Sequence, residues 1–159
     1  MRILIRNKDF VNNFIKPILD IDPIGKTSIL IENDELYTII KPSDLVVLYT
    51  KFTSELITDS NERFNINLNQ LNKGLSCLHD ELVDLNIEHN NLQAKNDNIM
   101  FSIVLLNNSV VASPPIQYKQ LDEQTPIGEF IITRSVISDI SKAYVFNKAA
   151  KKIYIEKLS

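Results

Sequence analysis

The chain has 159 residues, 44% of them hydrophobic and 23% charged, with a formal net charge of −3. This composition fits one ordinary globular domain with room for part of another and excludes a disordered or fibrous chain; a general nucleic-acid binder of this charge would have to segregate its basic groups onto one face. The single cysteine, Cys77, leaves no intrachain disulfide and no thiolate metal cluster. No segment approaches the ~20 apolar residues of a membrane helix, and "MRILIRNKDF" lacks a signal peptide's apolar run. A reducing cytoplasm is expected, the host's if the protein is viral, with no membrane association.

A short strand at the N-terminus leads into "KDFVNNFIKPILDI", where Phe10, Val11, Phe14, Ile15 and Ile18 recur at the spacing of one helix face. Pro17 removes a backbone donor and is expected to kink or loosen the last turn. "DPIGKTS" (22–28) has the Gly-Lys-Thr order that ends a phosphate-binding loop. Asp20 stands where the first glycine belongs, and the order is helix, turn, strand instead of strand, loop, helix, so a plain turn is expected. The runs "KTSILIEN", "ELYTIIK" and "DLVVLYTKFT" are rich in β-branched and aromatic residues and are separated by Asn/Asp turns, as strands are.

"FNINLNQLNKGLSCL" (64–78) begins as a strand and ends as a helix, with Asn67 placed to cap it and Leu68, Leu71, Leu75 and Leu78 as its stripe. "LVDLNIEH" and "IMFSIVLL" are further strands. "NNSVVASPPIQYKQLDEQTPIG" holds three of the six prolines and no useful period, so it is a linker. Beyond it, "FIITRSVISDIS" again pairs a strand-like run with a helical one.

These strand–helix units repeat. Ile5 laid on Ile66 puts Phe10 on Leu71 and Phe14 on Leu75; Ile131 laid on Ile5 puts Val136, Ile137 and Ile140 on Phe10, Val11 and Phe14. A unit of about sixty residues exceeds most solenoid repeats but suits a βαβββ module. Two such modules would share a sheet backed by their two helices, an α+β domain.

The outward helix faces carry amides, hydroxyls and cations. Asn12, Asn13 and Lys16 lie opposite the first stripe, with Asp9 and Asp20 also pointing that way. Asn69, Lys73 and Ser76 lie opposite the second, and Arg134, Ser138 and Lys142 opposite the third. A solvated surface is the simple reading of any one face, but three in equivalent positions suit diffuse contact with a phosphate backbone. Other chemistry has little support. His79, beside Asp80 and Glu81, has no set of converging metal ligands and reads as an exposed helix-end residue; Cys77 reads as a helix residue at the core edge. No nucleophile–base arrangement, glycine-rich cradle or carboxylate pair marks an enzyme, and no cofactor or metal is expected.

"PSDLVVLYTKFT" (42–53) followed by "FNINLNQLNKGL" (64–75), and then "NLQAKNDNIMFSIVLLNNSVVASPP" (91–115), resemble the DNA sliding clamps of the PCNA type, and most closely those of T-even-like phages. The first pair resembles a clamp's serine-containing turn, strand, and second-module strand and helix. The last resembles its closing hairpin and the start of its interdomain connector. The resemblance implies residues 1–111 as one domain of two βαβββ modules (1–62 and 63–111), a connector at 112–128 and a partial second domain at 129–159. It implies a non-catalytic processivity factor of DNA replication: a homotrimeric ring around duplex DNA, loaded by an ATP-driven clamp loader and tethering DNA polymerase and other replication proteins. Asn12, Lys16, Asn69, Lys73, Ser76, Arg134, Ser138 and Lys142 would face DNA. Leu45, Val110, Val111 and Ile116 would line a pocket for partner peptides. The third module is incomplete by this resemblance, so a gene fragment, a missing stretch or another assembly symmetry is expected. A clamp-like interaction module, such as a viral adaptor that never encircles DNA, is the alternative. Richness in Ile, Asn and Lys suggests an AT-rich genome, in keeping with a phage.

Overall fold

The structure is a computed structural model and describes residues 1–43, 46–58, 60–111 and 133–146. The chain divides into two compact units, Met1–Asp122 and Glu123–Ser159. In the first, β1 (Arg2–Arg6) runs into a helical stretch of α1 (Asn7–Phe10), a π turn (Val11–Ile15) and α2 (Lys16–Ile21). Then come β2 (Lys26–Glu32), β3 (Glu35–Ser43), β4 (Val46–Phe52) and β5 (Leu56–Thr58). The second half follows with β6 (Glu62–Asn67), α3 (Leu68–Ser76), β7 (Leu82–Glu88), β8 (Asn91–Lys95) and β9 (Met100–Val104).

The repeat is real, and it is interlocked. Among the described residues every pairing is antiparallel, and the strands form two sheets, β5-β1-β7-β8-β9 and β4-β3-β2-β6. Each module therefore lends its first strand to the other module's sheet. Sharing takes the form of strand exchange between two sheets, where the sequence suggested one continuous sheet. The joints match. β1 meets β7 with Arg6 opposite Leu82, and β6 meets β2 with Asn67 opposite Lys26. The Asn7 N–H donates to Glu81 O (2.9 Å) and the Leu68 N–H to Gly25 O (2.7 Å).

The exchange would leave β1 and β6 with bare outer margins, and each is met by the chain that follows its own module's last strand. β5 pairs with β1, Ile57 opposite Leu4. The Leu106 N–H donates to Asn65 O (2.8 Å), at the position of β6 equivalent to Leu4. This pairs groups that would otherwise lie on an open strand edge; at their opposite ends the two sheets finish in β4 and β9.

The core lies between the sheets and the helices. Ile5 and Ile66, Phe10 and Leu71, and Phe14 and Leu75 are equivalent pairs, and all six are buried. In the first module the helix is anchored by rings: Phe10 stacks on Phe14 (5.1 Å), and both meet the edge of Phe52 on β4 (5.1 and 6.3 Å). In the second, Gly74 lets α3 press onto Phe101 of β9, where a Cβ would stand 2.8 Å from the ring.

Pro17 directly follows an irregular part of the helix, the π turn at Val11–Ile15. Residues 7–15 correspond to 68–76, the whole of α3, so Pro17 sits just past the point where the repeat's helix stops. There it is the second residue of α2, which continues the π turn without a break in helical backbone, so its missing N–H leaves a carbonyl of the preceding turn without a helix partner. The π turn, closed by the Lys16 N–H on Val11 O, bridges the two segments.

In the second unit the expected helix forms as α4 (Arg134–Phe146), with Thr133 Oγ1 accepting from the Val136 N–H (3.4 Å). Val136 and Ile137 are exposed. The strand expected around Ile131, the connector at 112–128 and the closing stretch lie outside the described residues.

Candidate nucleic-acid interface

The helix of residues 7–21 and α3 lie antiparallel, tied at both ends by amide side chains. Asn7, at the start of the first, is buried and donates through Nδ2 to Leu75 O (3.2 Å) and Leu78 O (2.8 Å) at the exit of α3. Asn69, near the start of α3, donates through Nδ2 to Pro23 O (3.0 Å) and Ile24 O (3.3 Å) beyond α2. Gly25 completes that joint. Its φ of +63° is left-handed, and a Cβ there would meet Leu19 at 2.6 Å and Asn69 at 2.9 Å. "DPIGKTS" thus closes a helix-to-strand turn, as its order of elements implied.

With the apolar stripes turned inward, the pair presents a polar face. Lys8, Asn12 and Lys16 follow one another at four-residue intervals and are all exposed, and Lys16 Nζ donates to Asn12 Oδ1 (2.8 Å). On α3, Gln70, Lys73 and Ser76 are exposed. Asn67 caps this helix as expected, its Oδ1 accepting from the backbone N–H groups of Asn69 (2.9 Å) and Gln70 (3.3 Å). Ser76 Oγ donates to Asn72 O (2.7 Å). Asp9 does not share the outward face: it is half-buried and accepts from Ser54 Oγ (3.4 Å), whereas Asp20 is exposed. Cys77 is exposed just past the end of α3, not at the core edge.

The residues picked from the sequence are thus distributed unevenly. Asn12, Lys16, Lys73 and Ser76 are brought together on the helix pair. Asn69 is half-buried, with its N–H groups engaged in the joint. Arg134, Ser138 and Lys142 are exposed on α4, in the second unit, where Lys142 pairs with Asp139 at 3.5 Å. Of the suggested pocket residues, Val110 is exposed and Val111 buried, while Leu45 and Ile116 lie outside the described residues. Lys8 was missed, though the Lys8–Asn12–Lys16 spacing could have found it by extending the first helix one turn backwards.

This arrangement superposes on solved DNA clamps. Over 74% of its length the chain superposes on the Helicobacter pylori beta clamp solved with 5-chloroisatin, with a TM-score of 0.61 and 17% identity, covering 34% of that chain. The fold is that of a sliding-clamp domain. The beta subunit of the Streptococcus pyogenes DNA polymerase matches at a TM-score of 0.60 and 9% identity, 74% of this chain against 33% of that one. The A. fulgidus PCNA, solved with the C-terminal region of FEN-1, matches at 0.60 and 11% identity, 73% of this chain against 49% of that one. The chain therefore spans about a third of the bacterial clamps' length and about half of the archaeal one's. No protein-family model matches the chain, and no curated protein matches it in sequence.

Proposed function

We propose that the chain is a DNA sliding clamp, or part of one: a non-catalytic processivity factor that encircles duplex DNA and tethers polymerase and other replication proteins. The observation that carries this reading is the tied helix pair, whose outward face offers Lys8, Asn12, Lys16, Lys73 and Ser76 while its apolar stripes are consumed by the core. A face of separated cations and amides attracts phosphate without reading bases, as a sliding surface requires. Arg134, Ser138 and Lys142 would supply a third face of the same kind.

The end strands β4 and β9, the latter with Met100 and Val104 exposed, supply margins through which copies would join into a trimeric ring, opened by a clamp loader. Leu45, Val110, Val111 and Ile116 would receive apolar-aromatic partner peptides. The likeness to T-even-like phage clamps and the Ile-, Asn- and Lys-rich composition support a phage origin and action in the host cytoplasm. An adaptor that never surrounds DNA is favoured by one observation, the exposed Asp20 on the same helix pair in a chain of net charge −3.

Topology separates the two. The full chain, loaded with its replication partners onto closed circular DNA, is expected to stay bound until the circle is cut. Departure from intact circles as fast as from linear DNA would sink the clamp reading and leave the adaptor.

A further inference from the structure

Asparagine is a poor strand former, yet "FNIN" puts Asn65 inside β6. Its neighbours Phe64 and Ile66 belong to the core, so its own side chain lies on the other side of the sheet, opposite Ser28 of β2. Both are almost fully buried there, at 3% and 1% exposure. A buried amide and a buried hydroxyl need partners, and theirs form a chain with one direction. Arg63 carries only donors, so its guanidinium donates to Ser28 Oγ (2.9 Å). Ser28 then spends its single proton on Asn65 Oδ1, which leaves the Asn65 amide N–H to donate to Asn108 Oδ1 (2.6 Å). The Asn65 carbonyl takes the Leu106 N–H (2.8 Å), so one residue holds the chain after β9 through both backbone and side chain.

The same stretch is pinned to the other sheet. The Leu105 N–H donates to the carbonyl of Asn90, in the turn between β7 and β8 (2.9 Å). From these anchors the chain makes a tight turn, in which Asn107 O accepts from the Val110 N–H (2.9 Å) and Asn107 Oδ1 from the Ser109 N–H (3.0 Å). Asn108, the residue that Asn65 clasps, is exposed within that turn. Val110 leaves the turn exposed, and Val111 after it is buried.

We propose that Asn65 is a positioning residue for partner peptides: by clasping Asn108 it presets the turn that offers Val110 outward and seats Val111. The inference rests on the reading of Val110 and Val111 as pocket residues, and adds the group that fixes them. A loop that must be ordered on binding lowers the apparent affinity by the fraction of time it is correctly placed, so a preset turn binds more tightly at no cost in new contacts. Because Asn108 is exposed, the clasp can be cut at that end without opening the core.

The test uses the full chain and a labelled synthetic peptide with leucine and phenylalanine as its apolar-aromatic motif. Asn108→Ala removes the acceptor and is expected to weaken peptide binding about two- to tenfold, the worth of one ordinary hydrogen bond, with urea unfolding little changed. Asn108→Asp keeps an acceptor oxygen for the Asn65 amide and should restore the affinity. Amide exchange at Val110 should quicken in Asn108→Ala and return to its original rate in Asn108→Asp. If Val110 exchanges no faster in Asn108→Ala, or if Asn108→Asp restores neither rate nor affinity, the clasp does not set the turn; the proposal falls and the pocket reading stands. If the unaltered chain does not take the peptide, or Asn108→Ala takes it equally well once Val110 exchange has quickened, the pocket reading falls and the proposal with it.

Discussion

The two modules solve one packing problem with different materials. In the second, a nine-residue α-helix lays leucines into the core and needs only the missing side chain of Gly74 to reach Phe101 on its end strand. In the first, the equivalent helix holds its end strand through three phenylalanine rings, contains a π turn and continues for another segment beyond the repeat. Large interlocked rings cannot shrink to fill a gap, whereas a helix seated by close backbone approach tolerates no added atom. The first module should therefore lose most when a side chain is cut down, while the second should lose less to that and be sensitive also to one being built up.

The largest effect is expected at Phe14. It is fully buried between Phe10 and Phe52, and Phe14→Ala should cost about 3–5 kcal/mol of stability by leaving a ring-sized cavity. Leu75→Ala, its counterpart in α3, should cost about 2–5 kcal/mol and fall below it, because fewer atoms are removed from the same core. The reverse insult, Gly74→Ala, should cost about 1–3 kcal/mol through overpacking against Phe101. Urea unfolding of the three variants gives the order, and a Leu75→Ala loss equal to or above that of Phe14→Ala would erase the contrast between the modules.

The tied ends sharpen it further. The repeat aligns Asn7 with Leu68 and Lys8 with Asn69, so the two amides do the same job from positions one residue apart. Asn7 is buried to do it, and Asn69 remains half-exposed. Asn7→Ala leaves the Leu78 carbonyl without its amide partner at a buried joint and should cost about 1–3 kcal/mol. Asn69→Ala lets water reach Pro23 O and Ile24 O and should cost about 0.5–1.5 kcal/mol. Equal losses would mean that burial at the two joints is equivalent after all.

These contrasts also show what could be read without coordinates. The offset between Ile5 and Ile66, the leucine stripe and the Asn67 cap were legible because they are local or periodic, and each needs only a few neighbouring residues. Strand exchange was not, since the repeat is identical whether β1 pairs within its own module or with β7. β5 is too short and β8 ("NLQAK") too polar to announce themselves as strands. The outward face of the helix pair was legible in Asn12, Lys16, Lys73 and Ser76. Asn69 was not, because its partners are carbonyls of a turn more than forty residues away.

The smallest effect bears on the origin of the π turn. If Pro17 forces it, by giving no N–H to the turn before, then Pro17→Ala should let the helix run on as a regular α-helix and gain stability. The burial of Val11, Phe14, Ile15 and Ile18 argues otherwise. These side chains fix the rotation of the helix against both sheets, and a regular turn would shift everything after Val11 out of its seat. Pro17 itself is the second residue of α2, in a helical backbone whose φ its ring already fixes. Pro17→Ala is then expected to lose about 0.4–1 kcal/mol, because the unfolded chain regains the conformational freedom that proline removes. Amide exchange should show Lys16 still protected by Val11 O. A gain in stability, or loss of that protection, would assign the turn to the proline instead of the core.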